Sequence, residues 1–235
     1  MRICSIQKFV WLCCMFLLPC ATIFSFIMSS AQFWNDRYEN AEVFAYGTEP
    51  NDFLKASIDS KTINLPQGAS CLCLAEGEGR NAVFLAKQGF NVVAVDNAEA
   101  GARKTEHLAQ RNRVKVQTIV ADLADLEYGK SRYDFIVGIF CHVPPPIRQR
   151  MLDEIPKALK PKGYALFECY TPDQLKYNTG GPPSPEPMFS AKLLEESMGM
   201  QLEIRRNEEL VRDVVEGEYH TGEGAVVQFI GQKRP

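Results

Sequence analysis

The chain has 235 residues, a formal net charge of −3 and 46% apolar residues, which is enough to fill the core of one ordinary α/β domain. A slightly acidic balance gives no electrostatic reason to expect nucleic acid, whose binders carry a basic face, so the expected partner is a small molecule. Of the eight cysteines, Cys4, Cys13, Cys14 and Cys20 lie near the start, and Cys71, Cys73, Cys141 and Cys169 fall in or at the ends of apolar strands. That distribution fits reduced thiols better than a disulfide framework, and without a C-x-x-C pair or a nearby histidine no metal is expected.

In chain order, Phe9 to Met28 is an almost charge-free run of bilayer-spanning length, interrupted only by Pro19. Arg2 and Lys8 precede it, and Asp36, Glu39 and Glu42 outweigh Arg37 after it, so the positive-inside rule would put an anchored domain outside the cytoplasm. The stretch Met28-Ser-Ser-Ala-Gln-Phe-Trp suits a soluble N-terminus, and translation is expected to start at Met28. The expectation is thus a cytoplasmic domain over residues 29–235, with residues 1–28 a single membrane anchor only where translation begins at Met1.

From Ala31 onward helix and strand alternate. Phe33 to Asn40 and Asp52 to Ile58 read as short helices flanking the loop Gly47-Thr48-Glu49-Pro50-Asn51. Cys71-Leu72-Cys73-Leu74 reads as a buried strand, Gly77-Glu78-Gly79-Arg80-Asn81-Ala82 as a G-x-G-x-x-A turn into a helix, and Val92, Val93 and Val95 as a second strand ending in Asp96. A helix over 98–110, a strand from Val114 to Val120 closing on Ala121-Asp122, and an apolar strand from Tyr133 to Phe140 follow. Pro144-Pro145-Pro146 introduces a helix from Ile147 to Leu159, and Gly163 to Tyr170 is the fifth strand. The loop 178–187 is rich in Gly and Pro, and Ser190 caps a further helix. Leu202 to Val211 and Ala225 to Gln232 then form an antiparallel pair joined by the turn-rich Glu216 to Gly224.

Strand, glycine turn, helix, strand and acid together describe a nucleotide-cofactor site: the glycines let the backbone approach the ligand, and the acid accepts from the ribose hydroxyls. Glu76 and Glu78 flank the glycines and would oppose a pyrophosphate at the helix N-terminus. S-adenosylmethionine (SAM) has no phosphate and carries a sulfonium and an ammonium, so the same carboxylates favour it.

Leu74-Ala-Glu-Gly-Glu-Gly-Arg-Asn-Ala, Asp96, Ala121-Asp122-Leu123 and Tyr133-Asp134-Phe135-Ile136 resemble the ordered motifs of class I SAM-dependent methyltransferases. The resemblance is strongest to the tellurite-resistance and thiopurine-methyltransferase-like branch, whose glycine turn also runs into Arg-Asn. It covers residues 32–232 and is looser in the last 60. It implies a Rossmann-like, doubly wound α/β fold with a seven-stranded sheet, mostly parallel and closed by an antiparallel C-terminal strand pair. Gly77 and Gly79 would contact the methionine part of SAM and Asp96 the ribose. Asp122 would take the adenine amino group, with Leu123 beside the ring. Arg80, Asn97 and Phe140 complete the expected cofactor set. Cys73 stands where the family has an acid and Ala75 where it often has a glycine; Glu76 would supply the missing charge towards the cofactor ammonium.

Methyl transfer is an in-line displacement on an activated carbon, so a general base is optional. His142 and His220 are the candidate bases, with Tyr170 at the acceptor pocket. Trp34, Tyr38 and Tyr46 are the candidate lid, where Trp34 and Tyr38 share a helix face at i, i+4. The expected acceptor is a thiol, a metalloid oxyanion or a similar small molecule. No N-P-P-Y or D-P-P-Y occurs, against an amino methylase of DNA or protein. Two other readings stay open: a catalytically silent SAM-binding module, and an NAD-dependent oxidoreductase.

Overall fold

The computed structural model describes residues 30–39 and 44–235. The apolar run at 9–28, with its anchor or upstream-start reading, lies outside the described residues. Among the described residues, no helix is long and apolar enough to cross a membrane.

Among the described residues two short helices come first, α1 (Ala31–Tyr38) and α2 (Asp52–Asp59), capped by the Ser30 and Asn51 side chains. The core then alternates β1 (Ser70–Leu74), α3 (Arg80–Lys87), β2 (Asn91–Asp96), α4 (Glu99–Arg111), β3 (Val116–Val120), β4 (Tyr133–Ile139), α5 (Pro145–Ala158) and β5 (Leu159–Tyr170). A short 3-10 turn, α6 (Ala191–Met198), β6 (Leu202–Val215) and β7 (Thr221–Lys233) complete it. The sheet runs β3-β2-β1-β4-β5-β7-β6, parallel through β5 and antiparallel where β7 pairs with β5 and β6. The seven-stranded, mostly parallel α/β sheet with an antiparallel pair at its end is therefore present as read.

Alternation within β1 explains why helices cover both faces. Leu72 and Leu74 point into one core with Ile136, Met151 and Phe167, while Cys71 and Cys73 point into the other with Leu54, Leu85 and Phe135. Fully burying a side chain such as Leu54 or Leu85 is worth about 1.5–3 kcal/mol. The four described cysteines are free thiols inside these cores, and burial pushes Cys141 up to about 12, which leaves it an inert apolar group.

Element ends differ from the sequence reading for local reasons. Pro144 is the N-cap and Pro145 and Pro146 form the first turn of α5, because that turn needs no amide donors. The terminal hairpin is longer than expected, since β6 is an edge strand whose charged residues hide its period while β7 pairs with it from Thr221 to Lys233.

Candidate functional site

A cavity of about 280 Å³ opens at the carboxyl ends of β1, β2 and β4, where the switch in strand order between β1 and β4 leaves a crevice. Gly77 and Gly79 have φ of +64° and +90°, and Cβ atoms there would come within 2.9 Å of the Tyr38 hydroxyl and 2.7 Å of Thr105. Both glycines are thus demanded by geometry. Ala75, at the end of β1, also takes a left-handed φ of 48°, so the alanine adopts the backbone that a glycine would take there.

Asp96 ends β2 facing the glycine turn. Its Oδ2 accepts from the Gly77 N–H at 2.8 Å and its Oδ1 from the Ala98 N–H at 2.9 Å. Burial lifts its carboxyl to about 6, and the backbone donors of Ala98, Gly77 and Asn97 hold it from going further. Each oxygen keeps a lone pair for a ligand hydroxyl. Glu76 is pushed up to about 7 by burial, opposed by the Ala82 N–H at 2.7 Å and the Arg80 charge. Glu78 departs from the sequence reading: it pairs with Lys104 at 2.7 Å and accepts from the Tyr46 N–H at 3.2 Å, so its charge is spent inside the protein. Asn97, Asp122 and Leu123 line the same end of the cavity.

The other end is aromatic. Phe140 follows β4 with a left-handed φ of 49°, a strained backbone for a bulky residue, and its N–H donates to the Glu168 carbonyl at 2.7 Å. Its ring meets His220 edge-on at 4.5 Å, and Tyr46 lies 4.6 Å from the same imidazole. His142 Nε2 accepts from the Tyr170 N–H at 3.0 Å, and burial pushes the imidazole down to about 3, so it stays neutral. Burial, then the Arg80 charge, likewise holds His220 well below its ordinary value, and its buried Nδ1 has no hydrogen-bond partner among the described residues. Tyr170 corrects an expectation. It is fully buried behind Phe140 and His142, stacked on Phe140 at 4.6 Å, because Gly180 and Gly181 close over its ring.

The first helix covers the opening. Trp34, Tyr38 and Tyr46 form an aromatic cluster, with Trp34 stacked on Tyr38 at 5.6 Å, and all three line the cavity. Arg37 lies on the same helix and donates from Nη1 to the Tyr46 hydroxyl at 2.9 Å.

Arg80 lines the cavity, and its charge acts on the Glu76 carboxyl. Its guanidinium pairs with the buried Glu216 at the end of β6 and reaches the Glu49 carbonyl. Glu216 also accepts from Arg212 Nη2 at 2.8 Å, Arg212 pairs with the fully buried Glu168, and Asn51 Nδ2 bridges both carboxylates at 2.6 and 2.8 Å. Gln228 Nε2 donates to Glu168 at 2.6 Å. Two guanidinium and two carboxylate groups thus balance, as buried charges must. The Glu216 N–H donates to the His220 carbonyl at 2.8 Å, so this network fixes the hairpin tip that carries His220. Sequence reading missed Asn51, Glu168, Arg212 and Glu216. The one local signal was an acid, Glu168, in the middle of an otherwise apolar strand.

The chain has the seven-stranded α/β methyltransferase fold, and that fold implies S-adenosylmethionine as the cofactor. Comparison with known proteins agrees: residues 71–163 match a family model described as a methyltransferase domain. The ubiquinone biosynthesis O-methyltransferase of Rickettsia akari (strain Hartford) is 29% identical over 104 residues, 44% of this chain and 41% of that protein. The chain thus spans less than half the length of the curated relatives it matches. Among solved structures, one from work on converting a disulfide bond into a thioacetal group during echinomycin biosynthesis has a TM-score of 0.68 at 15% identity, covering 87% of this chain and 92% of that one. TehB from Haemophilus influenzae has a TM-score of 0.61 at 17% identity, covering 87% and 67%. At these identities the likeness to solved structures is one of fold.

Proposed function

We propose that the protein transfers a methyl group from SAM to a small-molecule acceptor, a thiol or an oxyanion being the nucleophiles that best suit its site. The observation that carries this reading is one continuous cavity running from Gly77 and Asp96 to Phe140 and His220. When bound, SAM supplies a methyl carbon already activated by its sulfonium. The chain's own part is to hold and to exclude. Asp96 would receive the ribose hydroxyls, Asp122 and Leu123 the adenine, and Glu76 the ammonium, in keeping with the raised carboxyls of Asp96 and Glu76. The left-handed Ala75 and the carboxylate of Glu76 compensate for the departures at Ala75 and Cys73, which weighs against a silent binding module. Trp34, Tyr38 and Tyr46 line the opening, and the dry pocket they would make favours in-line displacement on an activated methyl carbon. An acceptor arriving protonated hands its proton to the neutral His220, whereas a thiolate or oxyanion needs no base. His142, with its Nε2 lone pair committed to Tyr170, keeps Phe140 and Tyr170 in place.

The test is calorimetric titration of the full chain with SAM, S-adenosylhomocysteine and NAD. Micromolar binding of the two adenosyl ligands and none of NAD is expected. Binding of NAD alone would overturn the reading in favour of redox chemistry.

A further inference from the structure

Charge in the cavity is unevenly divided. Glu76, Asp96 and Asp122 stand at the cofactor end, while the cations nearest His220 are Arg37, Arg80 and Arg212. Arg80 and Arg212 are neutralised by Glu216 and Glu168. Arg37 is not: among the described residues it has no carboxylate partner. Its guanidinium lies 4.6 Å from the Phe33 ring centroid and 4.3 Å from that of Tyr219, and is oriented by the Tyr46 hydroxyl. Such a sandwich fixes the fork while leaving N–H donors unspent.

The walls between Arg37 and Phe140 are rings. Tyr46 meets Tyr219 at 5.9 Å and His220 at 4.6 Å, and His220 meets Phe140 at 4.5 Å. His220 is neutral and offers no charge to a ligand. A cationic acceptor would be repelled both by Arg37 and by the sulfonium of the donor, whereas an anion is attracted by each.

We propose that the acceptor is a flat organic acid, with a ring-sized apolar body lying among Tyr46, Phe140, Tyr219 and His220 and its acidic group seated on Arg37. This rests on the methyltransferase reading and narrows it. Arg37 is then the residue that selects the substrate class, and the planar fork suits a carboxylate bidentately. Apolar ring walls favour an organic body over an inorganic oxyanion.

The test uses the full chain saturated with S-adenosylhomocysteine and titrated with three probes: 4-mercaptobenzoate, its neutral counterpart 4-mercaptobenzamide, and tellurite. The acid is expected to bind at least about tenfold more tightly than the amide, the usual worth of one charged hydrogen-bonded pair. Arg37→Gln should abolish that preference while its affinity for S-adenosylhomocysteine, measured in the same cell, remains that of the native chain and so reports an intact fold. Equal binding of acid and amide, binding of neither, tellurite as the tightest ligand, or a preference that survives in Arg37→Gln each overturns the proposal. Failure of S-adenosylhomocysteine itself to bind strikes the methyltransferase reading instead, and the two failures are told apart in one experiment.

Discussion

Acidifying the solution should weaken binding of S-adenosylhomocysteine, chiefly through Asp96. Burial lifts that carboxyl to about 6, and ribose hydroxyls donate to the ionised form, so binding selects the carboxylate. With a value near 6, roughly one Asp96 in eleven is ionised at pH 5 and nearly all at pH 7.5, so the apparent affinity should fall about tenfold across that span. Glu76, lifted to about 7, adds a second loss beginning at higher pH. The ligand-free fold carries the opposite dependence. A carboxyl whose folded value exceeds its unfolded one contributes stability at acid pH, and that contribution is lost as pH rises through about 6 for Asp96 and about 7 for Glu76. Calorimetry in a buffer series from pH 5 to 7.5 reads the binding side directly. Asp96→Asn should weaken binding at pH 7.5 by about 1.5–3 kcal/mol, the worth of a hydrogen bond to a charged group, and should flatten the Asp96 part of the slope. A native-chain affinity that does not change between pH 5 and 7.5, or an unaltered slope in the variant, refutes the assignment.

Gly79→Ala forces a Cβ to within 2.7 Å of Thr105 at a left-handed backbone, and should cost about 2 kcal/mol or more, seen as a drop in thermal midpoint of roughly 4–8 °C. Glu216→Ala strips Arg80 of its carboxylate and Arg212 of one of three, and should destabilise the fold by about 3–5 kcal/mol in urea unfolding; a loss below about 1 kcal/mol would show that the network is hydrated. His142 and His220 should both remain neutral at pH 5, so imidazole resonances that shift between pH 7 and 5 would contradict their burial.

That Gly77 and Asp96 share one end of the cavity was legible because the parts are close in sequence and each has a local cause. Gly77, Gly79 and Asp96 are within 20 residues, and the strand, turn, helix and strand that hold them each have their own period or punctuation. The acceptor half was legible only as residue types. His220 and Phe140 could be named as candidates, but their contact joins chain segments about 80 residues apart and has no spacing to read. Partners distant in the chain follow the same rule. Arg80 was read from its neighbours in the turn and does line the cavity, but its ion-pair partner is Glu216, 136 residues on. Tyr170 was placed by its strand end, yet Gly180 and Gly181 fold back over it. Arg37 was read only as a flanking charge, because its significance depends on having no carboxylate partner among the described residues, which no linear pattern records.

The position of β7 has a consequence for how the molecule comes into being. It is later in the chain than β5 and β6, yet it inserts between them, so until residues 221–233 emerge from the ribosome β5 presents an open apolar edge and β6 has no partner. The nascent chain would then display a template for pairing with its neighbours, and its aggregation hazard should end only when the last hairpin closes. A ribosome stalled before Thr221 would therefore hold a protein whose cofactor cradle is already folded and whose sheet is still adhesive.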